Sequence, residues 1–156
     1  IDHAGVLSSD GSTFYIASPN PNALYAFNTA DGSVKWQLPV GMSATGVLSA
    51  NDETLFISGG DQLHSINTVK GSVRWTQSFD SFSAAPGVLS RDERVLYIGN
   101  HDNSVFAGNT TDGTPLWSYI TGDHIYASPT LSSDGRALFI GSEDGTVYAI
   151  NASLPL

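Results

Sequence analysis

The sequence has no cysteine, and only six lysines and arginines stand against fifteen aspartates and glutamates, a formal net charge of −9. Without cysteine there is no disulfide and no thiol chemistry, which leaves the compartment open because extracellular proteins also do without them. The few cations argue against a nucleic-acid partner, since phosphate binding requires clustered Lys and Arg. Here Lys35, Lys70, Arg74, Arg91, Arg94 and Arg136 are scattered. The acidity reads as a soluble, self-repelling surface. No apolar run approaches the length of a membrane span, so no membrane insertion is expected. No window carries a helical period of apolar residues either. The first residue is Ile1 rather than Met, with no signal segment, and the chain reads as a processed product or a piece of something longer.

What the sequence does have is repetition. Ala26, Asn28, Asp31, Gly32 and Trp36 form a frame that returns as Ser65, Asn67, Lys70, Gly71 and Trp75, and again as Ala107, Asn109, Asp112, Gly113 and Trp117. A fourth copy begins at Ala149 and Asn151. Ahead of each frame lie two short β-rich runs, around Val6 and Phe14, Val47 and Leu55, Val88 and Leu96, and Thr130 and Leu138. Aromatic and β-branched runs separated by Asp, Asn and Gly turns read as strands in hairpins. Each unit thus has four strands, A to D in chain order. Four-stranded units at a period near 40 residues describe the blades of a β-propeller, with a solenoid as the rival architecture. The expectation is one all-β domain over 1–156, with repeats at about 5–45, 46–86, 87–128 and 129–156. Three blades are complete, and the fourth has strands A to C.

The frame of Ala, Asn, Gly and Trp resembles the tryptophan-docking repeat of the pyrroloquinoline-quinone (PQQ)-type β-propellers, across essentially the whole chain. That family includes quinoprotein alcohol dehydrogenases and non-catalytic scaffolds of the bacterial outer-membrane assembly machinery. The resemblance implies that Trp36, Trp75 and Trp117 dock against the neighbouring repeat, and it favours an extracytoplasmic location. A dehydrogenase would carry calcium, a catalytic Asp and usually a vicinal Cys pair beside the quinone. This sequence has no Cys, and Asp123 has no recognisable partner set, so no cofactor and no catalytic residue are expected. The family usually has Thr before the Gly, where this chain has Asp31, Lys70 and Asp112. Gly108 replaces the bulky residue found as Phe27, Ile66 and Ile150, which predicts looser packing of the third blade.

Spacing points to a functional face. Val6 to Phe14 spans 8 residues, as do the three equivalent pairs, and each small residue lies 10 before its Trp. By contrast, Phe14 to Ala26 spans 12, Leu55 to Ser65 10, and Leu96 to Ala107 11. Trp36 to Val47 spans 11, but Trp75 to Val88 and Trp117 to Thr130 span 13. The B–C and D–A connections therefore vary, and in an up-and-down blade they share one face. Loops over a rigid scaffold carry function. The candidate interaction face holds Phe79, Asp80, Phe82, His101, Asp102, Asp123, His124, Tyr126, Glu143 and Asp144. Asn20, Asn22, Met42 and Asp61 lie on the same face.

Phe79 and Phe82 in a loop suggest a contact surface, or a plug packed under that loop. A metal held by His101, Asp102, Asp123 and His124 is conceivable, but loop His and Asp are more often solvated. His64 aligns with Tyr25, Phe106 and Tyr148 and fills an aromatic slot. Asn109 and Asn151 fit the glycosylation pattern. Asn109 is committed to its turn, whereas Asn151 is less constrained. The favoured function is a binding or scaffold module with a protein partner. A structural subunit assembling with further copies of itself through open blade edges comes second, and a quinoprotein fragment third. The open flanks of the first and fourth blades are expected to carry Tyr25 and Tyr148 respectively, and to be covered by a second copy or a longer chain.

Overall fold

One polar cassette starts every repeat. In the computed structural model, which describes residues 5–39, 46–59, 61–80 and 85–153, the Ser8 hydroxyl donates to Asp10 and accepts from the Thr13 amide, 2.6 and 2.9 Å away. The Asp10 carboxylate also takes the Ser12 N–H. The same three-point arrangement recurs at Ser49, Asn51 and Thr54, at Ser90, Asp92 and Val95, and at Ser132, Asp134 and Ala137. Side chains of this kind satisfy turn amides that would otherwise be left to water. Each turn folds a short strand back onto a longer one.

The first sheet is β1 (Val6–Leu7), β2 (Thr13–Pro19), β3 (Asn22–Asn28) and β4 (Val34–Leu38). The second is β5 (Val47–Leu48), β6 (Thr54–Gly59), β7 (Gln62–Asn67) and β8 (Ser72–Ser78). The third is β9 (Val88–Leu89), β10 (Val95–Gly99), β11 (Ser104–Asn109) and β12 (Pro115–Ile120). The fourth has three strands among the described residues, β13 (Thr130–Leu131), β14 (Ala137–Gly141) and β15 (Val147–Asn151). Within each sheet, chain neighbours are sheet neighbours and all pairs are antiparallel. No helix occurs among the described residues.

The small residue, Asn and Gly of the repeated frame each have a place in this geometry. The ladder between the third and fourth strands shifts register just after Ala26, Ser65 and Ala107, a bulge that swings the following residues into the turn. Asn28, Asn67 and Asn109 then hold the turn by accepting a backbone N–H from Ala30, Lys70 and Thr111. Gly71 and Gly113 have φ of +61° and +78°, where a side chain is strained. They also seat the neighbouring repeat. A β-carbon on Gly71 would lie 2.6 Å from the Trp36 ring, and one on Gly113 2.7 Å from Trp75. The two indoles donate to the carbonyls of Thr68 and Thr110, at 2.6 and 3.0 Å. Each Trp also leans on an aromatic of its own sheet, Tyr15, Phe56 or Tyr97, with ring centroids 5.8, 5.9 and 5.7 Å apart.

Consecutive side chains of a strand alternate between its faces, so each sheet has a rear face toward the preceding sheet and a forward face toward the next. Forward residues Tyr15, Ala17, Leu24 and Ala26 pack on rear residues Leu55, Ile57 and Ile66. Forward Phe56 and Leu63 meet Leu96, Ile98 and Phe106, and forward Tyr97, Val105, Ala107 and Trp117 meet Leu138, Ile140 and Ile150. Full burial of one such aliphatic side chain stabilises by about 1.5–3 kcal/mol, so these clusters hold the stack together.

Two expectations need correction. Gly108 does not loosen the third blade, because the Phe106 ring turns over it: a β-carbon there would lie 2.5 Å from that ring. Tyr148 does not lie on an open flank either. It pairs with Ile140 on the rear face of the fourth sheet and meets Tyr119 of the third, with centroids 5.8 Å apart. The exposed forward face of that sheet carries Phe139 and Val147 instead.

Candidate functional site

Among the described residues, the second-to-third-strand connections are 20–21 in the first sheet, 100–103 in the third and 142–146 in the fourth, and residue 61 precedes β7 in the second. The long Phe14–Ala26 spacing does not make a long loop. It is absorbed by β2 and β3, which have seven residues each. Loop length grows instead toward the third and fourth sheets, and there the site is built.

Residues 121–126 form a strap tied on both sides. Toward the third sheet, the Thr121 amide donates to the Asn103 carbonyl at 2.7 Å, and the Ile125 amide to that of Asn100 at 3.2 Å. Toward the fourth, the Glu143 amide donates to the His124 carbonyl, and the Ser142 hydroxyl to that of Asp123, both at 2.9 Å. The Gly122 amide reaches the Asp144 carboxylate at 2.8 Å. Ile125 anchors the strap in the core, fully buried.

On this strap His124 and Tyr126 come beside His101. The His101 and Tyr126 rings are 4.2 Å apart between centroids, and the two histidines 6.1 Å. His124 Nδ1 lies 2.9 Å from Asn103 Oδ1, an acceptor only, so Nδ1 carries the proton. Burial, and then the neighbouring His124, hold His101 below the usual imidazole value. Tyr126 is 53% exposed. The cluster is therefore a fixed aromatic and imidazole surface in which the His124 and Tyr126 rings are both exposed to solvent.

The other candidates divide. Asp102 takes the amide and hydroxyl of Ser104 and so holds its own turn. Asp144 accepts from the Tyr148 hydroxyl at 2.6 Å, the main cause that holds its carboxyl at about 2. Asp123 accepts the His124 backbone amide. Glu143 and Asp80 are exposed. Phe79 is half-buried and edge-on to Phe106, centroids 4.9 Å apart, so it belongs to the core between the second and third sheets and not to the contact surface. Phe82 and Met42 lie outside the described residues. His64 is buried and shares a hydrogen bond with Thr76, and burial lowers its pKa. Among the described residues no three His, Cys, Asp or Glu converge as metal ligands. Asn151 accepts the Ser153 amide as Asn109 accepts that of Thr111, so the expected difference in constraint between them is absent.

Sequence reasoning passed over a second feature. At the opposite end of the sheets, a groove of about 480 Å³ lies between the first two, bounded by Tyr15, Lys35, Trp36 and Thr68. A similar one of about 290 Å³ lies between the second and third, bounded by Phe56, Arg74 and Thr110. The residue before each Trp supplies the cation, as Lys35 and then Arg74, and is Leu116 in the third copy. That recurrence was the available signal.

Comparison with known proteins decides the family. The family described as "Outer membrane protein assembly factor BamB" matches residues 20–153. The chain belongs to this PQQ-type β-propeller family. BamB from Moraxella catarrhalis superposes on it with a TM-score of 0.81 at 19% identity, over 97% of this chain and 46% of that one. A chain of the mitotic checkpoint complex gives 0.82 at 15% identity, over 97% and 51%. These two likenesses show the fold alone. A 55-residue stretch is 42% identical to Protein Rv3035 of Mycobacterium tuberculosis, 35% of this chain and 13% of that protein. The chain thus spans about half the length of the solved chains, and its match to the curated relative covers a small part of it. The four sheets are blades of a β-propeller, and among the described residues no apolar cluster joins the first sheet to the fourth.

Proposed function

We propose that this chain is a non-catalytic propeller scaffold, extracytoplasmic by family, that offers the face around His101, His124 and Tyr126 to a protein partner. The observation that carries the reading is the strap. It holds an exposed tyrosine against an imidazole on a backbone fixed from two sides. A rigid aromatic of this kind contributes contact area at little conformational cost and is a typical interface anchor. The family description as an assembly factor supports a protein partner. The non-catalytic part is supported by the family description as an assembly factor.

A photo-crosslinking amino acid placed at position 126, and separately at Asp31 on the opposite end, tests this. Crosslinked protein adducts are expected from 126, and Tyr126→Ser together with Glu143→Lys, at an exposed position on the same face, should weaken capture of the same adduct partner while the thermal transition stays nearly unchanged. Adducts formed only from position 31 would place binding on the wrong end.

A further inference from the structure

The charges of this chain are sorted by end. All its lysines and arginines lie at the end of the sheets opposite the strap. Arg91, Arg94 and Arg136 fall in connections between first and second strands, and Lys70 in one between third and fourth. Lys35 and Arg74 stand near the starts of β4 and β8. The acids there have cations for neighbours. Arg94 Nε comes within 3.8 Å of Asp92, and Lys35 Nζ donates to the Ser12 carbonyl in the turn that Asp10 holds. The strap end is different. It exposes the carboxylates of Asp61, Asp80, Asp102, Asp123, Glu143 and Asp144, and no Lys or Arg of the sequence stands among them. They belong to loops of the second, third and fourth sheets, so the asymmetry owes nothing to the outer flanks of the stack.

Acceptors outnumber donors below the surface of this end as well. Asn100 is 1% exposed, with its carbonyl bound to the Ile125 amide of the strap and its own amide to Ser104. Its side-chain nitrogen reaches the Ser104 hydroxyl at 3.5 Å, but Oδ1 has no hydrogen-bond partner. A buried acceptor without a donor is costly, and few occur in folded proteins.

We propose that the strap end receives a basic segment of a partner protein, its lysine or arginine side chains set among these carboxylates and beside Tyr126. The proposal rests on the function proposed above and names the chemistry of the partner. Three features select positive charge. Carboxylates gathered at one end build a negative potential that draws cations and repels acidic surfaces. The exposed Tyr126 ring offers its face to a guanidinium or ammonium group. Asn100 Oδ1, beneath the strap, lacks the N–H donor that such a side chain carries. A neutral segment would strip water from the carboxylates and return no charge to them.

Fluorescence anisotropy of the whole chain with labelled hexalysine, and with hexaglutamate as control, tests the proposal. Hexalysine should bind at about 20 mM salt and at least about tenfold more weakly at about 200 mM, while hexaglutamate should not bind. Glu143 and Glu53 are both exposed, at the strap end and the opposite end, so their lysine variants change net charge equally. Glu143→Lys should weaken hexalysine binding at least about fivefold, and Glu53→Lys by less than about twofold. Asn100→Leu should weaken it by more than about twofold with the fold kept by circular dichroism. Should that variant not fold, the glutamate pair decides alone. No binding of hexalysine, equal losses from the two lysine variants, or a folded Asn100→Leu protein of unchanged affinity would overturn the proposal. The partner crosslinked at position 126 separates it from the function on which it rests. An adduct lost with Tyr126→Ser but indifferent to salt and to Glu143→Lys would keep the face and overturn its basic partner.

Discussion

Asp52 and Glu93 hold φ of 57° and 58°, in the left-handed region that Gly11 and Gly135 occupy at the same place in their turns. An ordinary residue there costs about 1–2 kcal/mol relative to glycine. The compensation lies in the preceding repeat. The Asp52 carboxylate accepts from both the amide and the hydroxyl of Ser9, at 2.8 and 2.6 Å, and Glu93 accepts the Ala50 amide at 2.6 Å. Each is a charge-assisted bond between adjacent sheets. Asp52→Ala keeps the strained backbone and loses the bonds, so it should destabilise by about 1–2 kcal/mol. Asp52→Gly should recover part of that loss by relieving the strain. Urea denaturation of the two variants measures the order, and a glycine variant less stable than the alanine one would contradict it. In the sequence these positions read only as polar turn residues. The partner lies 43 residues away, and nothing local announces it.

At the scale of the strand and turn, much was legible. The fixed ten-residue step from the small residue to Trp is a hairpin with a bulge, and its recurrence marked the sheets. The second use of the glycine was hidden, because the ring above Gly71 or Gly113 comes from the preceding repeat and arrives by packing. Gly32 has no atom within 4 Å of a built β-carbon, so the three glycines form a graded series. Gly32→Ala should cost about 1 kcal/mol, from the backbone alone. Gly113→Ala must also displace the Trp75 ring, and should approach the loss from Trp75→Ala, about 3 kcal/mol for a half-buried indole. Thermal melts of the three variants check the ranking, and equal melting temperatures for the two glycine variants would refute the seat. Loop lengths misled for a related reason. Spacing counts residues between landmarks and does not distinguish a longer strand from a longer loop, which is how β2 and β3 absorbed the excess. The sequence left Phe79 open between a contact surface and a plug, because the ring it packs against, Phe106, comes from another repeat.

For the molecule as a whole, the propeller class followed from period and strand count alone, since four short strands per repeat leave few other ways to bury one face of each sheet. The assembly of His101, His124 and Tyr126 did not follow, because it depends on how the strap is tied across two sheets. Each apolar cluster joins one adjacent pair of sheets, and among the described residues none reaches past its neighbour. This architecture makes folding a nearest-neighbour problem, in which stability is a chain of couplings with no single shared centre. A sheet with a neighbour on each side gains two couplings, and a terminal one only one. Opening should therefore run inward from the ends. Amides of β6 and β10 should exchange with deuterium more slowly than those of β2 and β14, although all four pair within their sheets in the same way.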